Sequence, residues 1–325
     1  MPTELLRDDG WKSEFKKWKA TSLYKNTEML CYASASKVKG NEYDLVILDE
    51  AHNITELSST FFKNNSIRDI IALTATPPEK EEKQELLSLL GLETVYELSL
   101  EDGISLGIVA PVNIHLIYTT LEEKEKTVKM GNKERYFMQT EKKAYEYYTQ
   151  CVDYCYETNR YDKLKFQILN RTRFIYNLQS KKEAAEELLD TISDQRNIIF
   201  CGSVAQAEDL CPFNFHYKSG KRDLNSFINM EIDQLSCVNS LNEGHNLPNI
   251  DNAVIVQLNS NALNLIQRIG RVCRWREGHT ANIFLFVCKD TQDEKWAENA
   301  LKSFNQSNIK KYNNIKQLIN EFEVK

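Results

Sequence analysis

Short apolar runs punctuate the first third of the chain at "EMLCYAS", "DLVILD", "DIIALTA", "TVYELSL" and "VNIHLIY", between residues 28 and 118. Each has the length of a strand and is bounded by charged or turn-forming residues, so each predicts a strand. Ahead of them, "ELLRDDGWKSEFKKWK" at 4–19 gathers Leu5, Leu6, Trp11, Phe15 and Trp18 on one side. That spacing predicts a helix interrupted near Gly10. Pro77 and Pro78 stop the third run, and 79–90 read as a helix closed by Gly91.

From about Glu122 to Ser193 the pattern changes. Charged and tyrosine-rich helical periodicity dominates, with a single glycine and no proline. This stretch reads as a helical linker or insert, and "EEKEKTVKMGNKER" within it reads as a solvated face or loop. Strand and helix alternation resumes with "NIIFCG", "NFHYK", "QLSCVN", "NAVIVQL" and "NIFLFV". Continuous apolar strands separated by helices imply a parallel sheet covered on both faces. The expected fold class is therefore α/β, with one unit over 1–119, a helical segment over 120–195 and a second unit over 196–325. No internal repeat or low-complexity tract interrupts this plan.

The 325 residues suffice for two domains with cores of their own. No apolar run reaches membrane-spanning length and the first residues do not form a signal peptide, so a cytoplasmic protein is expected. The eight cysteines are scattered. Cys151 and Cys155 lie one helical turn apart with no matching second pair, which indicates neither a zinc site nor a disulfide framework. A net charge of −6 excludes a wholesale basic binder, yet a local basic channel is enough for nucleic acid.

Candidate chemistry concentrates in four places. "YDLVILDEAHNI" ends a buried strand in Asp49 and Glu50. In open α/β sheets ligands sit at that strand edge. One carboxylate there suits a magnesium ion held through water, and the other an attacking water. Alone, "DE" would read as an exposed helix cap; the full "VILDEAH" after an apolar strand points to function. "ALTATPP" puts Thr74 and Thr76 at another strand end, where hydroxyls can bridge a histidine or an acid. "QRIGRVCR" sets Gln267, Arg271 and Arg274 at i, i+4 and i+7, on one helix face able to neutralise phosphoryl charge. "SLNEGHNLP" offers Gly244 for close approach of backbone to a ligand.

Motif by motif, the chain resembles the superfamily 2 helicases, of DEAH-box type, and within them the XPB-like and restriction-translocase branches. "PTELL" followed by "GWKSEFKKW" resembles motif Ia, "LDEAH" motif II and "TATPP" motif III. "IIFCGSVAQAEDL" resembles motif IV, with "YKSGKRDLNSF" the segment after it; "LNEGHNLP" resembles motif V and "QRIGRVCR" motif VI. Motif V of this branch often has Asp where this chain has Asn246. The resemblance implies two RecA-like parallel-sheet domains, ATP and Mg2+ as cofactors, and a nucleic-acid partner, DNA more than RNA. It assigns hydrolysis to Asp49, Glu50, Gln267, Arg271 and Arg274, with Asp49 holding Mg2+ through water. His52, Thr74 and Thr76 become coupling residues and Gly244 a nucleotide contact. Pro2, Thr3, Ser203, Asn239 and Ser240 fall along the nucleic-acid track, which is mostly phosphate contact.

A phosphate-cradling loop would read G-x-x-x-x-G-K-[ST]. The chain has no such string; "KSGKRD" at 218–223 lacks the first glycine and the hydroxyl residue. In the family this loop precedes motif Ia, so the first RecA-like domain is expected to be incomplete at its N-terminus and to expose apolar surface. Three explanations stand beside one another: a truncated chain, a split enzyme whose loop comes from a second polypeptide, or a non-hydrolysing nucleic-acid-binding or regulatory module. The expected function is an ATP-dependent helicase or translocase with little ATPase activity alone, or the motor subunit of a restriction system.

Overall fold

The computed structural model describes residues 11–75, 81–131, 134–238, 247–258, 270, 276–302 and 304–323. These separate into two compact units, one ending at Ser99 and the other beginning at Leu100. Among the described residues no helix is long and apolar enough to cross a membrane.

The first unit holds short helices α1 (Trp11–Lys17), α2 (Thr21–Tyr24) and α3 (Tyr32–Ala35), then strand β1 (Glu42–Asp49), helix α4 (Glu56–Asn64), strand β2 (Ser66–Leu73) and helix α5 (Glu81–Leu89). β1 and β2 pair in parallel, with Asp49 opposite Leu73. Thr55 and Ser58 form a reciprocal capping box that starts α4. Val46, Leu48, Ile70 and Ala72 face a small core shared with Ala51, Ile54 and the leucines of α5. The other face of the strand pair leaves Leu45, Ile47, Ile71 and Leu73 exposed, as the alternation of a strand requires.

The second unit begins with α6 (Leu100–Ser105), β3 (Val112–Thr119), β4 (Val128–Gly131), β5 (Tyr136–Gln139), α7 (Glu141–Glu157), α8 (Tyr161–Tyr176) and α9 (Gln179–Thr191). It continues with β6 (Asn197–Phe200), α10 (Val204–Leu210), β7 (Asn214–Phe215), α11 (Arg222–Ile228), β8 (Gln234–Cys237), β9 (Asn252–Ile255), β10 (Ala281–Cys288), α12 (Gln292–Leu301), β11 (Ile309–Tyr312) and α13 (Ile315–Glu323). Seven strands form one sheet in the order β11-β3-β10-β9-β6-β8-β7, all pairs parallel. Such a sheet must be covered on both sides. Ile283, Leu285 and Val287 of β10 face a core with α11 and α12, whereas Phe284 and Phe286 face one with α9, α10 and α13.

Several expectations change. "EMLCYAS" is not a strand: its Tyr32–Ala35 part is the helical turn α3, whose Tyr32 packs into the small core. "TVYELSL" pairs with no strand among the described residues and leads into α6. The boundary expected at 119 falls at 99/100, because β3 hydrogen-bonds to β10 and β11 of the second sheet. The segment 120–195 is not purely helical, since β4 and β5 form an antiparallel hairpin. Nor is α9 a linker; Ala184, Ala185, Leu188 and Leu189 bury against the sheet. "NFHYK" shortens to Asn214–Phe215, and the edge strand β11 was not expected.

Two polar arrangements sit inside this apolar frame. At the carboxyl end of β10, Lys181 of α9 meets Asp293 of α12 at 2.7 Å, both side chains fully buried. The same Asp293 oxygen accepts from the Cys288 amide at 3.0 Å. Burial pushes the neighbouring Cys288 thiol up to about 12. At the amino ends of the strands, side chains link strand to strand. His115 Nε2 lies 3.2 Å from Asn282 Oδ1, Asn282 donates to Asn252 at 3.3 Å, and Asn252 donates to Asn197 at 2.7 Å. Asn197 then donates to the Ile192 carbonyl at the end of α9.

Removing one member of a buried ion pair strands the other charge, at a cost of about 3–5 kcal/mol, whereas an apolar pair of similar volume is often neutral. We therefore expect Asp293→Ala to lower the stability of the second unit by about that amount in urea unfolding followed by circular dichroism. Lys181→Met with Asp293→Leu should lose much less. Equal losses in the two variants would contradict the stranded-charge account.

Candidate functional site

β1 delivers Asp49 and Glu50 to the carboxyl end of the strand pair of the first unit. The chain then turns sharply. Glu50 adopts φ 51° and ψ 56°, in the left-handed region that a side chain enters at a cost of about 1–3 kcal/mol. The turn leads directly into the 3-10 segment Ala51–Asn53, where Ala51 and His52 are buried and anchor the loop beside Ile54. Anchoring on both sides holds the strained residue in place.

His52 is the centre of the cluster. Its Nδ1 lies 3.0 Å from Thr74 Oγ1 and 3.4 Å from Glu50 Oε2. Thr74 follows the last residue of β2, so one imidazole bridges the ends of both strands. The ring thus sits between the Glu50 carboxylate and the Thr74 hydroxyl. Lys83 of α5 donates to the His52 carbonyl, and Tyr32 of α3 donates to the Asp49 carbonyl at 2.9 Å. Neither Tyr32 nor Lys83 was marked from the sequence. Both act on backbone oxygens, so no side-chain motif announces them.

The Asp49 carboxylate makes no hydrogen bond or ion pair among the described residues. Those residues contain no group of three or more His, Cys, Asp or Glu arranged around a metal. One available carboxylate is the donor set that suits Mg2+, which keeps most of its waters and takes remaining ligands from nucleotide phosphates. The residues present fit that ion.

Ser203 of the second unit caps α10. It accepts from the Gln206 amide at 3.2 Å and donates to Asn177 at 3.0 Å. Gly202 beside it admits no side chain, because a Cβ would meet Gln257 Cγ at 2.8 Å and Tyr176 at 3.0 Å. Pro2, Thr3, Thr76, Asn239, Ser240, Gly244, Gln267, Arg271 and Arg274 lie outside the described residues. Of the expected set, the structure brings together Asp49, Glu50, His52 and Thr74. A cavity of about 440 Å³ in the second unit, lined among others by Thr120, Glu123, Lys142, Tyr145, Lys289 and Asp290, contains none of the expected residues.

Residues 180–276 match the family described as the helicase conserved C-terminal domain. The matched stretch begins in α9, the helix whose Ala184, Ala185, Leu188 and Leu189 bury against the sheet. The parallel seven-stranded sheet is that of RecA-like helicase domains. Saccharomyces cerevisiae Dbp5 bound to RNA and ADP BeF3 aligns with TM-score 0.52 at 13% identity, over 86% of this chain and 62% of that one. A fragment of a putative HsdR subunit of a type I restriction enzyme from Vibrio vulnificus aligns with TM-score 0.52 at 18% identity, over 83% and 47%. The ATP-dependent type ISP restriction-modification enzyme LlaBIII bound to DNA gives 0.54 at 14%, over 90% and 24%. The chain thus spans less than two thirds of each of these proteins. At such identities the likeness is one of fold. Comparison with curated proteins gives no match. The family match over 180–276 and the fold agree with the resemblance to superfamily 2 helicases.

Burial raises the Tyr32 phenol above its ordinary value near 10, and the charges of Asp49 and Glu50 add to the shift. A phenol raised on folding contributes stability that is complete below the unfolded value and fades as pH climbs through the folded one. We expect the first unit to weaken above about pH 10. Tyr32→Phe should lose about 1 kcal/mol at neutral pH, the net value of one hydrogen bond, but weaken less on alkaline titration. Thermal melts of both proteins at pH 7 and pH 11 test this. Identical alkaline losses would exclude Tyr32 as the cause.

Proposed function

We propose that the chain is the motor core of an ATP-dependent helicase or translocase that acts on nucleic acid. The observation that carries this reading is the Glu50–His52–Thr74 bridge at the carboxyl end of β1 and β2, in a chain whose residues 180–276 match the helicase conserved C-terminal domain. A carboxylate positioned to polarise water, tied to a hydroxyl on the next strand, is what coupling of hydrolysis to movement requires. In this proposal Asp49 holds Mg2+ through water and Glu50 orients and polarises the attacking water. The bound ion neutralises phosphate charge. Gln267, Arg271 and Arg274 stabilise charge on the transferring phosphoryl group, and Gly244 touches nucleotide. His52, Thr74 and Thr76 relay the state of the phosphate. Pro2, Thr3, Ser203, Asn239 and Ser240 meet the strand.

DNA is the proposed substrate. LlaBIII, which shares the fold, is bound to DNA, and the HsdR fragment belongs to a restriction enzyme. These two also favour a second reading, the motor subunit of a restriction system. Since the sequence has no G-x-x-x-x-G-K-[ST] string, the proposal includes a phosphate loop contributed by another polypeptide segment. A non-hydrolysing nucleic-acid-binding module is the reading that the assays below discriminate against. A cytoplasmic location is part of the same proposal.

The 325-residue chain alone should hydrolyse ATP very slowly, with or without single strands, and a phosphate-loop segment supplied to it should raise turnover. Robust stimulated turnover by the chain alone would sink the need for that segment. In the active form, Glu50→Gln should abolish turnover while retaining nucleotide, because it keeps shape and removes only the water-polarising charge. Arg271→Ala should slow turnover by about 10³–10⁵-fold, the usual effect of losing an arginine finger. Melting temperature and turnover measured on the same Arg271→Ala sample separate catalysis from bracing. Normal turnover in a well-folded variant would remove Arg271 from the hydrolytic set.

A further inference from the structure

The helicase motifs assign no role to the α7–α8 helical hairpin of the second unit. α8 reads YDKLKFQILNRTRFIY, one acid against four bases, in a chain whose net charge is −6. Its inner side is spent on packing: Ile175 and Phe174 join a core with Leu178 and Cys288, and Arg171 bonds Gln292. Its outer side presents Lys165, Leu169 and Arg173 at i, i+4 and i+8, with Phe166 beside them and Tyr161 at the helix start. Phe166 is 59% exposed and Leu169 42% exposed. Among the described residues Lys163, Lys165 and Arg173 form no ion pair. At the hairpin tip the Arg160 guanidinium lies 5.5 Å from the ring of exposed Tyr154.

Exposed aromatic rings interleaved with unpaired cations match one kind of partner in both charge and shape. Phosphates pair with the cations, and bases stack on rings without regard to sequence. An acidic protein helix would satisfy the cations, but it offers no flat partner for Phe166 and Tyr161. We propose that the outer face of α8 binds single-stranded nucleic acid, as a contact separate from Ser203 and the other motif positions. The inference rests on the helicase reading, which supplies a strand to be held. On this view the hairpin grips strand that the motor has passed or has yet to reach, so it adds grip without touching hydrolysis.

The test uses the full chain and an oligo-dT strand carrying bromodeoxyuridine, crosslinked by ultraviolet light and mapped by mass spectrometry. Adducts within residues 161–173 are expected. Phe166→Ala should weaken oligonucleotide binding about tenfold, the scale of one lost base stack. Lys165→Ala with Arg173→Ala should make the slope of log affinity against log salt shallower by about 1.4, for two phosphate contacts on a single strand. Because these side chains are exposed, melting temperatures should not change. Adducts found only outside 141–176, with the variants binding as the parent does, would overturn the inference and leave the helicase reading standing. Failure of the parent chain to bind any strand would overturn both. Loss of a dimer in the variants by sedimentation, with oligonucleotide binding unchanged, would assign the face to a second copy and overturn it as well.

Discussion

The contact between Lys181 and Asp293 joins the two helical layers of the second unit. α9 covers one face of the sheet and α12 the other, and the pair meets over the carboxyl end of β10, where both side chains are fully buried. Two charges out of water are costly, and their attraction offsets that cost only with good geometry and further hydrogen bonds. The Cys288 amide supplies one such bond to Asp293. What the pair secures is chiefly position. It sets where α9 begins, and α9 is the first element of the stretch that matches the helicase C-terminal family.

The strands that sequence patterning revealed are those in which apolar residues run without a break. β3, β6, β8, β9 and β10 lie in a parallel sheet covered on both faces, which demands such runs; β1 and β2, buried on one face, were revealed by the length and bounds of their apolar runs. Where sequence reasoning failed, the missing information was non-local. β3 looks no different from a strand of the first unit; only its hydrogen bonds to β10 and β11 place it in the second. The apolar positions of α9 are two alanines and two leucines within a highly charged stretch, so its burial could not be separated from that of a linker helix. The β4–β5 hairpin carries mostly exposed side chains and leaves no apolar signature.

The site was legible to the extent that side chains carry it. Asp49, Glu50, His52 and Thr74 stood out because a carboxylate pair, a histidine and a threonine end two apolar strands, and the parallel register brings His52 within reach of Glu50 and Thr74. Tyr32 and Lys83 were hidden because they hold carbonyl oxygens, which every residue possesses. The left-handed conformation of Glu50 was hidden as well. No glycine marks that turn, and the strain becomes visible only with the backbone.

The chain of side-chain bonds through His115, Asn282, Asn252 and Asn197 works as a lock on strand order. Apolar strands of similar composition are interchangeable in a sheet held by backbone bonds alone. β9, β10 and β6 each contribute one amide at the same level, and each amide is satisfied by its neighbour. A mis-threaded sheet, or one shifted by a residue, would bury several amides without partners, at about 1–3 kcal/mol apiece. Seven parallel strands with many near-equivalent arrangements thus reduce to one, and the discrimination comes from the few positions that are not apolar.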